Sequence, residues 1–236
     1  MHKLASSLLA VLVCGTSLLP GSARAQSATP PPRSANPPVR VPMPNSSVRE
    51  AFEAASRGTL DDALLDSYSR HPLGGWLEYT ALRKRMDTLA VHRGNAFLAR
   101  HRGEPVARAF RNEWIAALAK RSEWQAVLAN WDDGIDDAGL RCLQLQARQS
   151  LGRLDAAWTA DAQALWRGTG KSLPASCDAP LAQLATQGGL DDGLRWERFD
   201  KAVAEGQGGV MRAIARGMGV EASTQANTYA SYHDAP

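Results

Sequence analysis

Five consecutive residues, Gly168-Thr169-Gly170-Lys171-Ser172, have the types that cradle a nucleotide phosphate. Such a loop needs a glycine five positions before its second glycine and a strand ahead of it, so that backbone amides curl around the anion. Leu165 stands at that position and a tryptophan-bearing helical pattern precedes the loop, which argues against nucleotide binding. The run Asp132-Asp133-Gly134-Ile135-Asp136-Asp137 offers oxygen ligands for calcium, but its glycine comes too early and no glutamate closes it. Asp136 or Asp137 is better placed to cap the helix that carries Leu140 and Leu143. His71, His92, His101 and His233 stand at no metal-ligand spacing, and His71 before Pro72 marks a helix boundary. No Gly-x-Ser-x-Gly elbow occurs. Glu78, Glu113 and Glu197 sit on helical patterns, where a solvated or paired carboxylate is expected rather than a general acid. Tryptophans stack on sugars, yet Trp114, Trp158 and Trp166 fall on apolar stripes and are expected in the core. The residues alone predict no catalytic, cofactor-binding or metal site.

The elements that carry these residues read as helices. Val106, Phe110, Trp114 and Ala117/Leu118 share one stripe. Leu140, Leu143, Ala147 and Leu151 form a second, and Leu154, Trp158, Ala162 and Leu165/Trp166 a third. No alternating strand pattern competes, so residues 46–236 are expected to form one all-α domain with length enough for a continuous core. Short links recur between the apolar segments: Gly58-Thr59-Leu60-Asp61, Gly152-Arg153-Leu154-Asp155 and Gly189-Leu190-Asp191. A left-handed glycine ends one helix and the aspartate caps the next, which folds neighbours back as antiparallel hairpins. A row of such hairpins is an α-solenoid, or superhelix; a compact helical bundle is the alternative. Residues 220–236 are polar and rich in small side chains, so a helix over 222–230 would have few anchors.

The N-terminus differs in kind. Residues 1–25 have a short basic start, an apolar run broken by Pro20-Gly21, and Ala23-Arg24-Ala25 before the expected cut: a secretory signal peptide, too short for a membrane anchor. Cys14 follows Val13 rather than a small residue, against lipidation. Residues 26–45 hold seven prolines and read as a Pro-rich disordered linker. Cleavage removes Lys3 and Arg24, which brings the 27 basic residues to 25 against 24 acidic ones. That balance gives no reason to expect a nucleic-acid partner and leaves peptidoglycan, proteins and small sugars open. An exported, soluble, periplasmic chain with two remaining cysteines, Cys142 and Cys177, is expected to join them in a disulfide.

Beyond this, particular runs resemble a known family. His71-Pro72-Leu73 with Trp76-Leu77-Glu78-Tyr79 is similar to a helix of the soluble lytic murein transglycosylases. So is Leu165-Trp166-Arg167-Gly168-Thr169-Gly170-Lys171-Ser172-Leu173-Pro174 followed by Ser176-Cys177-Asp178. Arg121-Ser122-Glu123-Trp124 with Leu128-Ala129 matches a helix upstream, and Cys142 falls where the family places the partner of the later cysteine. The resemblance runs from about Ala51 to the C-terminus, and its most specific stretch is Trp166 to Asp178.

It implies an N-terminal superhelix from a periplasmic enzyme that cleaves peptidoglycan between N-acetylmuramic acid and N-acetylglucosamine, leaving 1,6-anhydro ends. In the family one glutamate of a separate lysozyme-like domain acts as acid and then base. That domain is marked by a Glu-Ser pair and a Gly-Leu-Met-Gln segment, neither of which occurs in this sequence. The resemblance therefore assigns no catalytic residue here, and the chain alone is expected to be inactive. Glycan strands are the expected partner; a stand-alone periplasmic scaffold for other proteins is the alternative.

Overall fold

The computed structural model describes residues 47–234. The expected signal peptide and the Pro-rich linker lie outside the described residues. Among the described residues there is no strand: the domain is all-α, a succession of helical hairpins joined by short links.

The first layer holds α1 (Val48–Arg57), α2 (Asp62–Ser67) and α3 (Gly74–Arg83). Next come α4 (Val91–Arg100), α5 (Pro105–Lys120) and α6 (Trp124–Ala129). The later layers are α7 (Ala138–Ser150), α8 (Ala156–Arg167), α9 (Asp178–Thr186), α10 (Asp192–Ala204), α11 (Gly208–Ala215) and α12 (Val220–Asp234). Substantial helix–helix contacts join elements one or two helices apart, which is the contact pattern of stacked hairpins.

The links obey local rules. Ser47 and Glu50 form a reciprocal capping box on α1, with bonds of 3.2 and 2.8 Å. Gly58, Gly152 and Gly188 are left-handed, at φ 76°, 70° and 74°. After each, an amide reaches back five residues: Thr59 to Ala54, Arg153 to Arg148, and Gly189 to Leu184, at 2.8–2.9 Å. Two residues further on, Asp61, Asp155 and Asp191 accept from the third amide ahead at 2.6–2.8 Å. The third link thus has the same Gly-x-Leu-Asp frame as the others, with Gly188 rather than Gly189 in the left-handed position. A Cβ on Gly189 would instead meet Leu184, 2.4 Å away.

The core is a string of clusters rather than one ball. Phe97, Phe110 and Trp114 form an aromatic column, with centroids 4.3 and 5.9 Å apart, where α4 and α5 meet. Trp158, Phe199, Met211 and Ile214 centre a second cluster made by α8, α10 and α11. Helix α7 lies between them. Leu140 and Ala147 enter the first cluster, while Leu145 enters the second. The periodic stripe revealed only one of these faces.

The C-terminal segment is longer and better held than its composition predicts. Ala226 and Ala230 are fully buried against α11, and the Tyr229 ring meets Phe199 edge-on at 6.0 Å. Small residues serve here because they let two helices approach closely.

Candidate functional site

The Gly-Thr-Gly-Lys-Ser turn directly follows α8 and packs on α10. Gly170 is required by that approach: a Cβ would lie 2.3 Å from the Lys201 carbonyl carbon. Its amide faces the Glu205 carboxylate at 3.3 Å, and the Lys171 amide donates to the Thr169 hydroxyl at 3.0 Å. An anion finds a carboxylate already in place. From α10, Arg198 donates to the Lys171 carbonyl at 2.9 Å and lies 4.4 Å from the Trp166 ring centre. Burial lowers the pKa of its guanidinium. The Trp166 indole N–H reaches the Leu194 carbonyl at 3.0 Å, and the Lys201 ammonium donates to the Arg167 carbonyl. The turn is a structural joint between two layers.

A covalent tie completes the joint. Cys142 on α7 is bonded to Cys177, with Cα atoms 4.8 Å apart, and both are fully buried beside Leu165. Ser176 donates to the Gly139 carbonyl at 3.1 Å, so the turn before α9 is pinned to the start of α7.

The glutamates singled out by type are all engaged. Glu78 pairs with Arg100 and with His101 Nε2 at 3.2 Å, while His101 Nδ1 faces Glu104 at 3.3 Å. Glu113 bonds Arg83 at 2.9 Å. Burial, then the hydrogen bond to Glu113, pushes the Tyr79 phenol up to about 12. Glu197 pairs with Arg167 at 3.1 Å.

The histidines are dispersed. His71 Nδ1 accepts from the Leu73 amide at 3.0 Å within the turn before α3. His92 is exposed on α4. Among the described residues no group of three His, Cys, Asp or Glu side chains could hold a metal ion.

The acidic run likewise disperses its carboxylates. Asp132 caps its own turn through the Gly134 amide at 3.0 Å and pairs with Arg111 at 2.7 Å. Asp137 caps α7 through the Leu140 amide at 2.8 Å. The loop nevertheless forms the wall between two cavities that share Ile135. One, of about 320 Å³, is lined by Trp131, Asp133, Asp136, Arg141, Gln144 and Asp161. The other, of about 280 Å³, is lined by Arg102, Arg108 and Arg111 together with Glu104 and Asp132. A third cavity, of about 420 Å³, lies beside Glu78, Arg100 and His101. Sequence reasoning noticed the acidic run but not Trp131 directly ahead of it, which was the available signal.

No family model matches the chain. It is similar in sequence to the soluble lytic murein transglycosylase of Salmonella typhimurium, 25% identical over 180 residues, covering 76% of this chain and 27% of the relative. The soluble lytic murein transglycosylase of Escherichia coli is 23% identical over 189 residues, covering 80% and 29%. In fold the chain is similar to the 70-kDa soluble lytic transglycosylase solved with bulgecin A, with TM-score 0.70, 23% identity, and coverage of 79% and 30%. An inactive variant of the lytic transglycosylase Slt from Pseudomonas aeruginosa gives TM-score 0.66 at 22% identity, covering 78% and 30%. The chain thus spans under a third of the length of the relatives it matches. Over most of its own length it shares their helical fold, and the resemblance first read from short runs of residues extends across the stack.

Proposed function

We propose that this chain is the N-terminal superhelical part of a periplasmic lytic murein transglycosylase. It handles peptidoglycan glycan strands for a reaction carried out elsewhere: cleavage between N-acetylmuramic acid and N-acetylglucosamine with formation of 1,6-anhydro ends. The observation that supports this most is the agreement of two comparisons, sequence and fold, each over about four-fifths of the chain.

The site chemistry is consistent with a handling role. Glu78, Glu113 and Glu197 are each ion-paired. A stack of hairpins offers an extended surface on which many weak contacts add, suited to a polymer rather than to a small substrate. Residues 1–25 serve as the export signal and residues 26–45 as a linker in this reading, with residues 46–236 as one domain. The partner is the glycan strand, and no cofactor is invoked.

The test is a pull-down of the purified chain with sacculi, followed by muropeptide analysis of the supernatant. Binding without released anhydro-muropeptides is the expected result. Release of anhydro products would overturn the assignment of catalysis elsewhere. Failure to bind sacculi would move the function to a scaffold for periplasmic proteins.

A further inference from the structure

The geometry points to a saccharide subsite in the cavity between the 130–137 loop, α7 and α8, built on Trp131 and selective for neutral N-acetylated amino sugars. It rests on the glycan-handling function proposed above and assigns that function to particular residues.

Four cavities compete, and their linings separate them; the one of about 370 Å³ beside Arg57, Lys84 and Arg85 has no aromatic side chain. Beside Glu78, Arg100 and His101 both bind Glu78 and His101 also faces Glu104, while Asp66 and Arg93 line the same space with no tryptophan, tyrosine or phenylalanine beside them. The cavity of about 280 Å³ mixes Arg102 and Arg108 with Glu104 and an Arg111 already bound to Asp132, and it has no aromatic side chain on which a sugar ring could stack. In the Trp131 cavity, Asp133, Asp136, Arg141 and Gln144 make no side-chain hydrogen bond or ion pair among the described residues. Four planar polar groups with unspent donors and acceptors line one space with an indole.

That combination matches a pyranose. The ring's axial C–H bonds pack on an aromatic surface, while its hydroxyls need bidentate donors and acceptors at the edges. Trp131 is half-buried against the aromatic cluster, so its ring is held in place before a ligand arrives. Leu145 and Leu165 complete the apolar part of the lining. A volume of about 320 Å³ is at the lower end for ligand sites, which suits one or two sugar units of a strand rather than a long segment.

Charge sets the selectivity. Asp133, Asp136 and Asp161 face the cavity against a single cation, Arg141, and Asp161 is itself held by Arg148 at 2.7 Å. A free carboxylate on the ligand would meet net negative potential, whereas an N-acetyl group offers a neutral donor and acceptor to Gln144 and Arg141. N-acetylglucosamine units are therefore favoured over sugars with a free acid.

The experiment titrates the purified chain with the tetramer of N-acetylglucosamine and follows the indole N–H signals by NMR. The Trp131 signal is identified as the one missing in Trp131→Phe. Saturable movement of that signal is expected, with affinity reduced about tenfold in Arg141→Ala/Gln144→Ala, two changes outside the buried core. Thermal melts check that both variants remain folded. An unmoved Trp131 signal in a chain that still binds sacculi overturns the subsite and leaves the glycan-handling function standing. Loss of both overturns both. Equal affinity in the double variant, or a response to an acidic stem peptide alone, also overturns the subsite.

Discussion

Arg198, almost fully buried on α10, stacks on Trp166 of α8 at 4.4 Å, with the Lys171 carbonyl as acceptor for its Nη2. An aromatic face and a carbonyl dipole do what a carboxylate usually does for a buried cation. The planar guanidinium fits that slot and a lysine ammonium does not. Arg198→Lys should destabilise the domain by about 1–2 kcal/mol, and Arg198→Ala by roughly 2–3 kcal/mol, through loss of both contacts and of packing. Urea denaturation of the variants measures this. Equal stability of wild type and Arg198→Lys would show that the stack contributes nothing specific.

The bond between Cys142 and Cys177 closes a loop with a sequence separation of 35 residues. Removing it frees the unfolded chain, which corresponds to about 3–4 kcal/mol in the chain-entropy model. Reduction, or Cys142→Ala/Cys177→Ala, should lower the melting temperature by that equivalent. A melt unchanged by reductant would refute a structural role for the bond.

Two groups couple stability to pH. Tyr79 titrates at about 12 when folded against 10.0 ordinarily, so the native state holds a proton that the unfolded state releases. Stability from this group is complete below pH 10 and falls as pH rises towards 12. Tyr79→Phe should flatten that alkaline limb, and absorbance at 295 nm should show one late-titrating phenol. On the acid side, the Trp158 amide, helped by Arg148, holds Asp155 below its ordinary range. Its contribution is present above pH 3.8 and is lost as pH falls through the folded value. Asp155→Asn should weaken the acid dependence of unfolding.

The link between α9 and α10 offers a paired test. Gly188→Ala forces a Cβ into φ 74° and should cost about 1–2 kcal/mol. Asp191→Ala removes the bond to the Leu194 amide and should cost about 1 kcal/mol. Gly189→Ala should also destabilise, but through a clash with Leu184 that repacking can relieve. Calorimetric melts of the three variants separate backbone strain from crowding.

Among the described residues Ser122 is the non-glycine residue with positive φ, at 58°, and it follows α5 where glycine ends other helices. The Ser122 amide donates to Ala119 and the Glu123 amide to Leu118, both at 2.9 Å, so the link is otherwise well made. Ser122→Gly relieves the left-handed strain and should raise stability by about 0.5–1 kcal/mol, net of glycine's greater freedom when unfolded. A lower melting temperature for Ser122→Gly would contradict this.

Much of the architecture was legible along the chain because its causes are short-range. A glycine that ends a helix and an aspartate that caps the next act within six residues, so Gly58, Asp61, Gly152 and Asp155 could be assigned by type and spacing. The stripe through Phe110 and Trp114 followed from the period of the helix itself. The third link was misread by one residue because Gly188 and Gly189 are alike in sequence, and only the position of Leu184 decides between them. Other features belong to contacts that no local pattern encodes. Leu145 is buried because α8 covers the second face of α7, and Arg198 is buried because a turn 27 residues earlier closes over it. Trp131 gains its cavity from α7 and α8, both later in the chain. Local conformational preference was determined by the sequence read alone; which polar groups are spent on each other and which face open space was decided by tertiary packing, because that depends on neighbours brought from elsewhere.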